Sequence, residues 1–220
     1  QLMNDPNRPF LNRVMQSRFP PASTFKLLTA IAGLEEERWN PGNSIYCTGK
    51  FTLRGFVDTD FFDYDTHGNV NLYWAIARSC CVYFYQMGLR TGPTVLFRYA
   101  GYFGFDELTG IDIPGEIAGF IPSKRWKLRV FGQSWYDGDT VNLSIGQGFI
   151  TVTPLGLSNL VCGIVNNGII HRPQVIREVR TPDNRTVVRS LVPARQREIP
   201  ISPQTLSIVR EGMRMAVTSG

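Results

Sequence analysis

The feature that most limits what this chain can fold into lies near its start. Residues 27–34 read Leu-Leu-Thr-Ala-Ile-Ala-Gly-Leu, with no charged side chain on any face of a helical projection. A helix that is apolar all round has to be buried on most sides, so the rest of the chain must wrap it. Pro20 and Pro21 precede the run and suit a helix entry, where a missing amide hydrogen costs little. The spacing predicts a helix over residues 23–36, with Ser23 in its first turn and Lys26 one turn on, on the same face. A hydroxyl beside an ammonium is a poor nucleophile, but desolvation against an apolar helix favours the neutral amine, which can take the serine proton. Ser-x-x-Lys alone leaves two readings open. One is an activated serine; the other is a helix-capping serine with a solvated lysine.

At 220 residues, with 43% hydrophobic and 19% charged residues, the chain has the composition of a globular protein with a substantial core. No apolar run approaches the ~20 residues of a membrane span, and no signal peptide is present. The formal charge of +5 is modest; the arginines concentrated over residues 172–197 read as a solvated hairpin, and nothing marks a nucleic-acid partner. Cys47, Cys80, Cys81 and Cys162 are too few for a disulfide scaffold, and an adjacent pair such as Cys80-Cys81 is strained against bonding to itself.

Further elements follow in order. Residues 1–19 read as an irregular lead-in, and residues 44–70 as a loop region with short strands. Asn71 caps a helix that runs into Ser79-Cys80-Cys81, and the apolar run over residues 82–87 ends at Gly88. Gly92-Pro93-Thr94 opens a helix carrying Leu96, Phe97, Ala100 and Phe103. A connection rich in Gly, Pro and Trp spans residues 105–140, with short helices. Thr153-Pro154 starts a buried helix that stops at Asn166-Asn167-Gly168. Residues 175–180 and 186–191 pair as a hairpin across Pro182-Asp183-Asn184, and Ser202-Pro203 opens a last helix through Met215. The chain is α+β and helix-dominated, and no linker divides it.

Taken together, the motifs resemble the penicillin-binding transpeptidases, closest to the monofunctional, elongation-type branch called penicillin-binding protein 2. Ser23-Thr24-Phe25-Lys26 after its proline pair looks like the first motif of that family. Ser79-x-Cys81 stands where its Ser-x-Asn or Ser-x-Asp motif lies. Thr109-Gly110-Ile111-Asp112-Ile113-Pro114-Gly115-Glu116, Gly138-Asp139-Thr140, Ser144-Ile145-Gly146-Gln147-Gly148 and Thr151-Val152-Thr153-Pro154-Leu155 match it more specifically. The resemblance implies a D,D-transpeptidase that cross-links peptidoglycan stem peptides and is acylated by β-lactam antibiotics at Ser23. Lys26 would be the proton acceptor and Ser79 a relay to the leaving amine. Cys81, Gly146, Gln147 and Gly148 would contact substrate. It also implies a membrane-anchored parent working with cell-elongation partners at the periplasmic face of the bacterial inner membrane, with the anchor outside this chain. Catalysis would need no cofactor.

Three departures qualify that picture. Cys81 replaces an Asn or Asp, and a thiol is a weaker donor and acceptor. Ala22 stands where the family has glycine, a small change unless its φ is positive. No Lys-Thr-Gly or Lys-Ser-Gly occurs, so residues 1–220 are expected to be a single, partial transpeptidase domain, truncated before that strand and lacking most of the central antiparallel sheet. As a fragment it is expected to be inactive. A β-lactam-binding sensor on the same fold is the alternative, since it shares the serine and lysine. Some elongation-type relatives also carry a structural zinc ahead of the second motif, which implies Cys47, Asp60, His67 and Cys80 as ligands, with Asp58 and Asp63 as alternatives to Asp60. A disulfide between Cys47 and Cys80, or unpaired residues, remain open beside the zinc reading.

Overall fold

The computed structural model describes residues 5–6, 8–55, 58–192 and 194–219, and part of the lead-in (residues 1–4 and 7) therefore lies outside the described set. A short helix α1, Arg13–Gln16, breaks the lead-in that was expected to be irregular, and Asn12 caps it by accepting from Val14 N at 3.2 Å. The helix predicted over 23–36 is divided into a 3-10 turn, Ala22–Thr24, and helix α2, Phe25–Glu35. The division starts at Ala22, whose φ of +50° is incompatible with a right-handed helix. Thr24 Oγ1 then donates back to Pro21 O at 2.5 Å and holds the turn.

As its composition requires, α2 is the centre of the molecule. Phe25, Leu28, Ala30, Ile31 and Ala32 are fully buried, and each large apolar side chain taken from water contributes about 1.5–3 kcal/mol. Around α2 pack α3 (Leu72–Ala77), α4 (Cys81–Thr91), α5 (Pro93–Tyr102), α7 (Asp137–Ser144) and α9 (Pro203–Thr218). Asn71 caps α3 as expected, accepting from Trp74 N at 3.2 Å. Helix α4 does not end at Gly88; it runs to Thr91 and stops at Gly92, whose φ is +83°. Gly88 serves a crossing rather than a cap. A Cβ there would lie 2.2 Å from Ser144 Cβ, so its absence lets α4 and α7 touch. Thr29 of α2 donates to Ser144 O at 2.8 Å from the other side, which locks the three helices together.

Among the described residues no sheet exceeds two strands, and all four sheets are antiparallel. Strands β1 (Ile45–Cys47) and β4 (Gly68–Val70) enclose the hairpin of β2 (Lys50–Leu53) and β3 (Thr59–Phe62). In the same nested way β5 (Ile169–His171) and β8 (Arg195–Glu198) enclose the expected hairpin, β6 (Glu178–Arg180) with β7 (Val187–Ser190). Within the long connection, helix α6 (Lys124–Phe131) buries Lys127 against Asp139, with its Nζ 4.8 Å from the Tyr136 ring centre. Trp126, Phe131 and Trp135 surround Phe149. That cluster fixes the loop ahead of helix α8 (Pro154–Val165), itself capped by Thr153.

Asp112 ties the connection to the segment before β6, accepting from Val175 N and Ile176 N at 2.8 Å each. These two N–H groups, helped by Arg172 and opposed by partial desolvation, hold its carboxyl below the usual range. A depressed native pKa contributes stability that is present above the unfolded value and lost as pH falls through the native one. Protection of the Val175 and Ile176 amides from hydrogen exchange is therefore expected to be high at neutral pH and to fall on acidification below about 4. In Asp112→Ala the protection is expected to be low at every pH. At the helix crossing, Gly88→Ala is expected to lower unfolding stability in urea by about 1–3 kcal/mol through overpacking.

Candidate active site

Helix α3 ends in a turn that shapes the site. Ser79 N donates to Ile76 O at 3.1 Å and Cys80 N to Ala75 O at 2.9 Å, the paired bonds of a left-handed helix stop. Glycine usually occupies the residue between them; here it is Ser79, at φ +52°. The turn points both the carbonyl and the hydroxyl of Ser79 at Lys26. Lys26 is only 2% exposed. Its Nζ lies 2.5 Å from Ser79 O, 2.9 Å from Ser79 Oγ and 3.1 Å from Cys81 Sγ. Three acceptors thus surround the nitrogen, and the Phe84 ring closes the site 6.0 Å from it. Burial pushes the Cys81 thiol up, although Lys26 pulls it down, so the sulfur enters the site as an uncharged thiol.

The structure brings Lys26, Ser79 and Cys81 together, and Ser23 sits exposed in the 3-10 turn three residues before Lys26. The turn is braced from behind. Ala22 N donates to Gly146 O at 3.0 Å, and a Cβ on Gly146 would fall 2.4 Å from Ala22 O and 2.8 Å from Ala22 N. Gly146, expected to contact substrate, is therefore buried under the serine turn, because only a residue without a side chain allows the two backbones to meet. Gln147 and Gly148 are exposed on the rim. Ala22 is also more consequential than a neutral glycine replacement. Its positive φ costs an alanine about 1–2 kcal/mol relative to glycine.

A second cluster stands one residue away. Cys47, at the end of β1, lies 3.5 Å from Asp63 Oδ2 and 3.6 Å from His67 Nδ1, and Asp63 Oδ2 is 3.3 Å from His67 Nδ1. With Cys80 Sγ, the four ligand atoms all fall within 4.8 Å of one another. Tetrahedral zinc with N, O and S donors sets its ligand atoms about 3.3–3.8 Å apart, so the donor set fits that ion, and the separations among Cys47, Asp63 and His67 lie in that range. Asp60 is not part of the cluster. It sits on β3 opposite Thr52, accepts from Thr52 Oγ1 at 2.7 Å and pairs with Lys50 at 2.9 Å, while Asp63, past the strand end, turns inward. Although burial opposes it, hydrogen bonding from Val82 N and from Cys80 holds the Asp63 carboxyl below its usual range. Tyr64, which the sequence reading passed over, reaches His67 Nε2 at 3.3 Å and orients the ring. Cys47 and Cys80 are both free thiols, and Cys162 is exposed on α8, away from either cluster.

A model of the penicillin-binding protein transpeptidase domain matches residues 1–220 of the chain. The peptidoglycan D,D-transpeptidase MrdA of Escherichia coli is 34% identical over 177 residues, which is 80% of this chain and 28% of that protein. The chain thus spans little more than a quarter of the curated relative. Among solved structures, Pseudomonas aeruginosa PBP2 in complex with WCK 5153 superposes with a TM-score of 0.85 at 30% identity, covering 100% of this chain and 49% of that one. PBP2 of Helicobacter pylori in complex with MreC gives a TM-score of 0.79 at 30% identity over 96% of this chain and 37% of that one.

The brace behind the serine turn is testable by itself. Gly146→Ala is expected to destabilise the protein by about 2–4 kcal/mol, the sum of backbone overpacking and a positive φ forced on alanine. Thermal unfolding checks it.

Proposed function

Because the chain belongs to the penicillin-binding protein transpeptidase domain family, we propose that Ser23 is the acyl-accepting nucleophile of a peptidoglycan D,D-transpeptidase and the residue that β-lactams acylate. The observation that carries this reading is the buried Lys26 nitrogen, held between Ser79 Oγ and Cys81 Sγ one helical turn below the exposed serine. Ser23 Oγ attacks the penultimate D-alanine carbonyl of a stem peptide, and Lys26 in its neutral form takes the hydroxyl proton. Ser79 Oγ, hydrogen-bonded to Lys26, passes the proton to the departing D-alanine amine. The Ser23 N–H, at the head of α2, donates to the developing oxyanion. An amine from a neighbouring strand then takes the acyl group and frees the serine.

The left-handed conformations of Ala22 and Ser79 support this reading. Both are strained, and they bracket the reacting groups, where strain of this kind is commonly stored. The second half of the cleft is a different matter. The family's Lys-Thr-Gly or Lys-Ser-Gly strand is absent from these 220 residues. Acylation of the 220-residue polypeptide is accordingly expected to be far below stoichiometric. We place the parent protein at the periplasmic face of the inner membrane with cell-elongation partners, which the solved complex of Helicobacter PBP2 with MreC supports by analogy. Among the described residues no helix is long and apolar enough to cross a membrane.

We also assign Cys47, Asp63, His67 and Cys80 to a structural zinc ion. When bound, the ion would cross-link the β1–β4 pair to the head of α4. Cys80 caps α4 and Cys81 follows it, so these ligands position the second motif.

Intact mass after treatment with penicillin, on the full-length natural protein and on the 220 residues, tests the catalytic reading. The full-length protein is expected to gain one acyl adduct, and Ser23→Ala to gain none. Lys26→Ala is expected to slow acylation at least ~100-fold. An adduct retained in Ser23→Ala would overturn the assignment. Labelling with no transfer to an acceptor amine would favour the sensor alternative. For the metal, protein purified without chelator is expected to hold close to one zinc per chain, lost in Cys47→Ser. A chain free of zinc by elemental analysis would remove the ion from the account.

A further inference from the structure

Arginines enriched over residues 172–197 have a different meaning once their place in the fold is known. The segment holds seven arginines against Glu178 and Asp183, an excess of five. The formal charge of the whole chain is also +5, so the other 194 residues are balanced, with 16 charges of each sign. Glu198, the last residue of β8, brings the excess over the whole β5–β8 arm and its ribbon to four, so four of the five net charges sit there. Some of these arginines are committed to the protein. Arg172 donates to Gly110 O, Arg197 to the carbonyls of Gly101 and Tyr102 and to Glu107, and Arg180 to Glu178. Arg185 and Arg189, on the ribbon itself, are exposed and have no acidic partner among the described residues.

A merely solvated hairpin would show polar side chains between its arginines. This ribbon instead exposes Val179 at 45%, Val187 at 44% and Val188 at 65%, with Val192 beyond it at 78%. At its base Val175, Ile176 and Leu191 line an open groove of about 370 Å³ together with Arg172 and Arg177. Among the described residues strands β6 and β7 pair only with each other, so each keeps an outer edge with unpaired backbone groups. A two-stranded ribbon is marginal by itself, and a free apolar edge is a template for another strand.

We propose that the β6–β7 ribbon is a docking site for an extended acidic segment of a partner protein, which adds to it as a third strand. Each feature selects part of that occupant. The free edge asks for a polypeptide backbone, which neither a lipid surface nor an anionic polysaccharide supplies. The exposed valines and the groove ask for apolar side chains at alternate positions, the period of a strand. Arg185 and Arg189 ask for carboxylates between them, and these charges steer the encounter as well as holding the complex. This surface does not depend on the chemistry assigned to Ser23.

The test uses full-length protein and a fluorescent peptide of about eight residues alternating Val and Glu, a length typical of one strand. Binding is expected at low salt, to weaken steeply as salt rises, and to slow amide exchange along the outer edge of β6 or β7. Arg185→Glu with Arg189→Glu is expected to weaken it at least ~tenfold while leaving penicillin labelling of Ser23 unchanged. Oligoglutamate of equal charge and vesicles containing phosphatidylglycerol are the controls, and both are expected to bind less tightly than the peptide. No binding of the peptide at low salt overturns the proposal. So does oligoglutamate binding as tightly, which would make the ribbon a general polyanion patch, or vesicle binding without peptide binding, which would make it a membrane contact.

Discussion

A lysine with 2% of its surface exposed needs a full set of partners, and the way Lys26 obtains them organises the structure around it. Its acceptors come from the stop of α3 and the head of α4, whereas the lysine itself belongs to α2. The interaction therefore holds three helix ends in one geometry. Leaving that nitrogen unpaired in the interior would cost several kcal/mol, more than a small shift of any one helix could recover. The site is positioned because the core cannot close otherwise.

Two backbone positions make that geometry possible. Ser79 takes the left-handed conformation that ends α3 and turns its oxygens inward, and Ala22 takes the same conformation before α2 and lifts Ser23 outward. Gly146 meets Ala22 backbone to backbone, and Gly88 lets Ser144 approach α4. These contacts run through α7 and the loop after it, so Ser144 and Gly146 work from behind the serine turn. The Cys47, Asp63, His67 and Cys80 cluster works from the other side, since it includes Cys80 and the next residue touches Lys26.

Much of this was legible in the chain. The apolar run over residues 27–34 demanded a central helix, and the Asn71, Thr153 and Ser202 caps announced helix starts that the structure keeps. Ser23, Lys26, Ser79 and Cys81 were recognisable by type and order. Less was legible where the deciding contact is distant. Gly88 looked like a helix stop because glycine is a breaker in isolation; the Ser144 side chain that explains it is 56 residues away. Asp60 and Asp63 could not be separated by spacing alone, and the strand register that turns one outward and the other inward is a product of folding. The β5–β8 pair was missed because no turn joins its two strands, whereas the equally short β6 and β7 are announced by the Pro182-Asp183-Asn184 turn between them.

What the sequence by itself determined is the chemistry available: a serine and a lysine three apart, a second serine two residues before Cys81, two further cysteines with a histidine and several aspartates near them, and an arginine-rich segment. It also determined that one helix had to be buried, because free energy of transfer depends on side-chain composition. Only the tertiary structure decided which atoms meet. Lys26 takes its partners from 53 and 55 residues away, Gly146 meets the backbone of Ala22, and Asp63 rather than Asp60 joins Cys47, His67 and Cys80. Hydrogen bonds and close backbone contacts act over about 3 Å, and separation along a chain says nothing about distances of that size until the helices have packed.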